Sequence, residues 1–247
     1  IGQGCMGIGG EFEKNPDLDK EFLWSLEYGI ELGMTFIDTA EVYANGHSET
    51  LVGKAAKHKR DKLFIATKFS PENNSYDDVL SSAENSLKRL NSSYIDLYQV
   101  HWPNPSIPIA ETMMALDKLV KDGKVRFVGL SNFSQREMEE AQECIDPLKI
   151  VSNQIEYNLF DRFIEKSIMP YMQENNSSII AYSPLDKGHG FYSDDKVQLM
   201  ENLTKKYNKT TSQISLNWLL SQENVFVIPK AAKKEHIELN ASSSDFE

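Results

Sequence analysis

Short β-branched or aromatic runs alternate with amphipathic stretches along this chain, and that alternation restricts its fold more than any other feature. The first helix is predicted from about Leu18 to Leu32, with Phe22, Leu26 and Ile30 on one face and Gly33 as its stop. The strand "TFIDTA" follows, then a short helix starting at Ser48 with Leu51, Val52 and Ala55 inward, then the strand "LFIATK". Val79, Ala83, Leu87 and Leu90 mark a third helix before the strand "IDLYQVH"; Met113, Leu116 and Val120 mark a fourth, ending at Gly123 before "VRFVGLS". The helix "QREMEEAQECI", the strand "IVSNQIE", the helix "EKSIMPYMQEN" with Pro170 near its start or at a bend, and the strand "SIIAYS" come next. Helical stretches around Leu199 to Tyr207 and Ser212 to Leu220 lead to the strand "VFVIP".

Counting the opening segment, there are eight strand candidates separated by helices. Repeated strand-helix units impose a parallel sheet with right-handed crossovers, and eight of them close naturally into a (β/α)₈ TIM barrel. A doubly wound open sheet is the alternative, because periodicity does not report closure. No linker or shift in composition interrupts the pattern, so one domain is expected over residues 1–247. At 247 residues and 40% apolar content the chain can bury one large core.

The opening "IGQGCMGIGG" matches the glycine spacing of a dinucleotide-binding fingerprint from Gly2 to Gly7. That motif needs a strand before it, a helix directly after it and a later acidic residue. Here only Ile1 precedes the glycines, and an acidic stretch with Pro16 follows them. The context is wrong for that motif.

A formal charge of −11 argues against nucleic acid or an anionic membrane as the main partner and favours a small molecule. No apolar run reaches the length of a membrane span and no leader precedes Ile1, so a soluble cytoplasmic protein is expected. Cys5 and Cys144 are the only cysteines, far apart and without metal-ligand spacing; they are expected to be buried or half-buried thiols, with no metal site. Asn-x-Ser/Thr triplets at Asn91 and Asn202 lack the secretory context that glycosylation requires.

The predicted strands end in polar residues: Asp38, Lys68, His101, Ser131 with Asn132, Gln154 with Glu156, Tyr182 with Ser183, and Lys230. A barrel gathers such strand ends on one rim, where active sites are built. Taken singly each has an ordinary reading as a turn residue, a surface charge or a structural histidine. Asp, Lys and His meeting at one rim must satisfy one another or a ligand. The Lys68 ammonium beside Tyr43 would favour the phenolate and lower the phenol pKa; Asp38 would hold Lys68 charged, and His101 would orient a substrate oxygen. A proton donor beside an oxygen-binding site suits reduction of a carbonyl.

"FIDTAEVYANGHSE", "FIATK" and "IDLYQVHWP" resemble the segments of aldo-keto reductases that carry the catalytic aspartate, tyrosine, lysine and histidine, here Asp38, Tyr43, Lys68 and His101. The resemblance implies a (β/α)₈ barrel that binds NADPH, with NADH as the alternative, and reduces an aldehyde or ketone. "VGLSNF" and "NQIEYN" resemble the segments holding the nicotinamide carboxamide, which assigns Ser131, Asn132 and Gln154 to it. "AYSPL" implies Tyr182 stacking on the nicotinamide, with Ser183 and Leu185 near the pyrophosphate. "VIPK" implies Lys230 at the 2′-phosphate; Asn240 matches the adenine contact, and His236 stands where NADPH-preferring members usually carry arginine. On this resemblance the opening glycines form the first barrel strand and its loop.

The family's N-terminal hairpin has no counterpart before Ile1, and its C-terminal helix and tail none after Glu247, so a trimmed chain is expected. Trp24, Trp102 and Met6, with Tyr43 and Phe69, are candidates for an apolar substrate mouth. The residues indicate neither a natural substrate nor an oligomeric state. Two other readings stand beside the reductase: a nicotinamide-binding regulatory subunit with little turnover, and a barrel aldolase with Lys68 as a Schiff-base lysine.

Overall fold

The computed structural model describes residues 1–186 and 194–246. Its strands are β1 (Gln3–Gly4), β2 (Phe36–Asp38), β3 (Phe64–Phe69), β4 (Ile95–Val100), β5 (Val125–Ser131), β6 (Ile150–Glu156), β7 (Ser178–Tyr182) and β8 (Val225–Val227). All neighbours are parallel and lie in sequence order. The Gly2 amide donates to the Val227 carbonyl at 2.8 Å and the Gly4 amide to the Pro229 carbonyl at 3.1 Å, so the first and last strands meet and the sheet closes. The open-sheet alternative is thereby excluded.

Closure depends on Gly4, and the pairing of the first two strands on Gly2. A Cβ at Gly4 would stand 2.5 Å from the Ile228 carbonyl oxygen, and one at Gly2 2.7 Å from that of Phe36. These glycines serve a strand and a close backbone approach, while the first α-helix begins only at Asp19.

Helices α1 (Asp19–Glu31), α2 (His47–Ala55), α3 (Tyr76–Leu90), α4 (Ile109–Lys121), α5 (Gln135–Ile145) and α6 (Ile168–Glu174) fill the crossovers; α7 (Asp194–Tyr207) and α8 (Thr211–Leu220) precede β8, and α9 (Lys234–Ala241) follows it. The predicted inward residues of α3, namely Val79, Ala83, Leu87 and Leu90, are all buried. Ser134 and Thr210 close capping boxes with Glu137 and Gln213. Pro170 lies in the first turn of α6, where its missing N–H does no harm. Helix α2 starts one residue before the expected Ser48. Gly46, at φ +79°, turns the chain into that helix, and the buried Ser48 hydroxyl accepts from Thr39 Oγ1 at 3.0 Å instead of capping.

Strand alternation sorts the side chains. Ile65 and Phe69 pack outward against the helices, whereas Ala66, Leu97, Ile180 and Ile228 form a separate apolar plug inside the barrel. Lys68 shares the inward set, one step above the plug, opposite Gln99. Cys5 is buried as expected, but Cys144 is exposed, because it lies on the solvent side of α5. Among the described residues no helix is long and apolar enough to cross a membrane.

Candidate active site

Asp38 ends β2 and Lys68 stands near the end of β3, both almost completely removed from solvent. Lys68 Nζ donates to Asp38 Oδ1 at 2.7 Å and to the Thr39 carbonyl at 2.8 Å. Asp38 Oδ2 accepts from Gln154 Nε2 at 2.8 Å and Gln99 Nε2 at 3.3 Å. Pairing and hydrogen bonding together make two buried charges tolerable. Burial works to lower the Lys68 pKa, but Asp38 and Tyr43 hold it above its ordinary value. Gln99 escapes the sequence reading; its signal is a polar residue on the inward phase of an otherwise apolar strand.

Tyr43 opens a short turn, Tyr43–Gly46, in which Ala44 (φ 49°) and Asn45 (φ 52°) are left-handed. The turn brings the Tyr43 ring within 5.1 Å of Lys68 Nζ and sets it edge-on to His101, ring centroids 5.9 Å apart. Here one expectation is corrected. Burial raises the Tyr43 phenol, outweighing the opposing pull of Lys68, so the net shift is upward. Tyr43 is therefore protonated at neutral pH, the state an acid needs before it can donate. His101 moves the other way: burial, and then the Lys68 charge, lower it to about 3. Its imidazole is neutral, with one ring N–H to offer.

Ser131 and Asn132 follow on the same rim. Ser131 Oγ donates to the Gln154 carbonyl at 3.0 Å, and Asn132 Nδ2 donates to the His101 carbonyl at 3.1 Å and to Ser131 Oγ at 3.0 Å. Tyr182 OH donates to Asn132 Oδ1 at 2.9 Å, and burial, followed by Glu156, pushes this phenol up to about 12. Gln154 joins the group differently from expectation, with its side-chain N–H₂ turned onto Asp38. Ser183 is left-handed (φ 47°) and Leu185 packs partly buried against the core. Lys230 lies exposed after β8, near Gly7; His236 is exposed on α9, and Asn240 is buried there.

The candidates for the mouth divide: Tyr43 stands in the site, whereas Phe69 is fully buried on the outer face of β3 against Tyr98, ring centroids 5.0 Å apart, and does not line it. Met6 (64% exposed) and Trp102 (49%) sit on loops after β1 and β4. Trp24 lies within α1, stacked on Tyr28 at 5.2 Å, and Tyr28 OH donates to Glu238 of α9 at 2.6 Å. Trp24 thus belongs to the outer helical ring, and the structure does not bring it to the site.

A model of the Aldo/keto reductase family matches residues 1–247. The chain belongs to the aldo-keto reductase family. Among curated relatives of this aldo-keto reductase, methylglyoxal reductase YeaE of Escherichia coli is 35% identical over 248 residues, covering 100% of this chain and 86% of that protein. The thermostable aldo-keto reductase Tm1743, crystallised with the inhibitor epalrestat, superposes with TM-score 0.95 at 41% identity, covering 100% of this chain and 89% of the other. An aldo-keto reductase from Klebsiella pneumoniae in complex with NADPH gives TM-score 0.90 at 33% identity, over 100% and 85% of the two chains.

Proposed function

We propose that this aldo-keto reductase reduces small aldehydes or ketones, α-oxoaldehydes such as methylglyoxal among them, with NADPH as reductant and Tyr43 as proton donor. The observation that carries the reading is the protonated Tyr43 held between the Lys68 ammonium and the neutral His101 ring.

The donor set fits the cofactor. Ser131, Asn132 and Tyr182 form a connected group of donors and acceptors suited to a carboxamide and an aromatic ring. Exposed Lys230 and Lys233 supply the cationic chemistry that phosphates require, with the exposed His236 imidazole on α9 as a further hydrogen-bonding group. Lys230 favours a 2′-phosphate, although His236 offers a weaker partner than a guanidinium fork would. Bound there, NADPH supplies a hydride to the carbonyl carbon.

The chain's own groups handle the oxygen. The His101 N–H and Tyr43 O–H converge on the carbonyl oxygen and hold it as negative charge develops. The Tyr43 O–H bond breaks, its proton passes to the substrate oxygen, and the phenolate left behind is stabilised by Lys68 until it regains a proton from water. Asp38 keeps Lys68 charged and fixed. A Schiff-base role for Lys68 is incompatible with this environment, since imine formation needs a neutral amine and Asp38 keeps this one protonated. Likeness to a named reductase over the whole chain weighs against the regulatory-subunit alternative.

The test is a single-turnover mix of NADPH-loaded protein with methylglyoxal, following reduced-nicotinamide absorbance in wild type and Tyr43→Phe. Rapid loss in wild type and little in the variant is expected. Equal loss in both would remove Tyr43 from the reaction, and no loss in either with cofactor bound would favour the regulatory subunit.

A further inference from the structure

The turn that carries Tyr43 is held by an ion pair outside the group described above, between the buried Glu49 and the partly exposed Arg89. Glu49, on α2, is fully buried; its Oε1 accepts from Thr67 Oγ1 at 2.6 Å and its Oε2 from Arg89 Nε at 2.6 Å. Arg89, near the end of α3, also donates from Nη2 to Ser86 Oγ at 3.2 Å and lies 4.0 Å from Glu41 Oε2. Its stem covers Gly46, where a Cβ would stand 2.6 Å from Arg89 Cδ and 2.7 Å from Nε. Glu41 Oε1 accepts from the Ser70 amide at 2.6 Å and Asn73 Nδ2 at 2.8 Å, while the Glu41 amide donates to the Lys68 carbonyl at 3.0 Å.

These contacts grip both partners of the proton-donating pair. Thr67 and Ser70 flank Lys68 on β3 and its loop, whereas Glu41 and Gly46 bracket the turn of Tyr43. The turn needs such a grip. A left-handed backbone is strained for residues other than glycine, for Ala44 more than for Asn45, and persists only where the surroundings over-determine it; here two such residues stand in succession. Burial pushes the Glu49 carboxyl up and Arg89 pulls it back, so the pair is mutually dependent.

We infer that Arg89, anchored by Glu49, is a positioning residue that clamps the left-handed Tyr43–Gly46 turn onto β3 and sets the Tyr43 hydroxyl against Lys68. The inference rests on the reading of Tyr43 as proton donor. A cavity of about 450 Å³ opens over Arg89, lined also by Glu41, Val42, Asn45, Ser70 and Asn73, so a small cation from solution can reach the place of the guanidinium.

Arg89→Ala and Glu49→Gln test the clamp, the second removing the charge that anchors Arg89 while keeping the shape of the side chain. Both are expected to bind NADPH with wild-type Kd while kcat falls at least about tenfold, since a misplacement of about 1 Å can cost ~10²-fold. The basic limb of the kcat pH profile should move upward in Arg89→Ala, because Tyr43 has left the ammonium. Millimolar methylguanidine recovering its rate would identify the guanidinium as the acting group.

Wild-type kcat in both folded variants overturns the inference. So does a loss in which kcat, NADPH affinity and thermal stability decline together, which is general unfolding. If Arg89→Ala does not fold, Glu49→Gln decides by the same criteria. Tyr43→Phe separates the two claims: full turnover there defeats the reading of the site, whereas an inactive Tyr43→Phe with active Arg89→Ala and Glu49→Gln defeats the clamp alone.

Discussion

Gln154 donates its side-chain N–H to Asp38 Oδ2 at 2.8 Å, across 116 residues of sequence, joining the cofactor rim to the buried ion pair. Gln154→Leu leaves that carboxylate one donor short. Unfolding free energy should fall by about 1–3 kcal/mol, read from urea denaturation of the apo protein.

Asp38 and Lys68 form one buried unit. Lys68→Met should cost about 3–5 kcal/mol, because it strands the Asp38 charge, and the double variant Asp38→Leu/Lys68→Met should recover much of that loss. A denaturant double-mutant cycle measures the difference. Additive losses would show that the two charges act independently.

His101 titrates at about 3, against an ordinary value of 6.5. Between those values the unfolded chain binds a proton that the folded chain does not, so this residue lowers stability as pH falls from 6.5 towards 3. His101→Gln should flatten that stretch of the stability–pH curve. Wild-type kcat should show no inflection near 6.5, since the ring is already neutral there.

Lys230 is exposed and close to the opening loop. Lys230→Met should weaken NADPH binding by roughly tenfold, about 1.4 kcal/mol, and leave NADH binding unchanged. Fluorescence titration with both cofactors decides it; an equal effect on the two would place the 2′-phosphate elsewhere.

Gly4 has its missing Cβ position 2.5 Å from a backbone oxygen of the closing segment. Gly4→Ala should destabilise by at least about 2 kcal/mol, because neither backbone can yield without breaking the junction of β1 and β8. The thermal midpoint reports it.

Much of this was legible in the chain because it is local. Apolar residues at helical spacing in α3 and α4 and the polar residue closing each strand follow from backbone periods, and those periods do not depend on distant partners. Asp38, Lys68 and His101 were legible for the same reason, since strand ends assign them to one rim, whereas Tyr43, in the turn after β2, was legible through the resemblance of its segment to aldo-keto reductases.

Other features depended on contacts that no local pattern encodes. Gly2 and Gly4 resemble a phosphate loop until β2 and the segment after β8 show them admitting a close backbone approach, Gly2 to Phe36 and Gly4 to Ile228. Trp24 has the chemistry of a pocket residue, but helical phase and Tyr28 hold it on the outer ring. Tyr43 has an ammonium beside it, which argues for a lowered pKa, yet burial dominates and reverses the sign. Gln99, Gln154, Glu49 and Arg89 gain their roles across 18 to 116 residues of sequence. Periodicity therefore determines which elements form and which residues reach the rim. Closure of the barrel, the depth of burial and the partner of each buried charge arise only when the eight strands meet, because solvation and Coulomb energies depend on distance in space rather than separation along the chain.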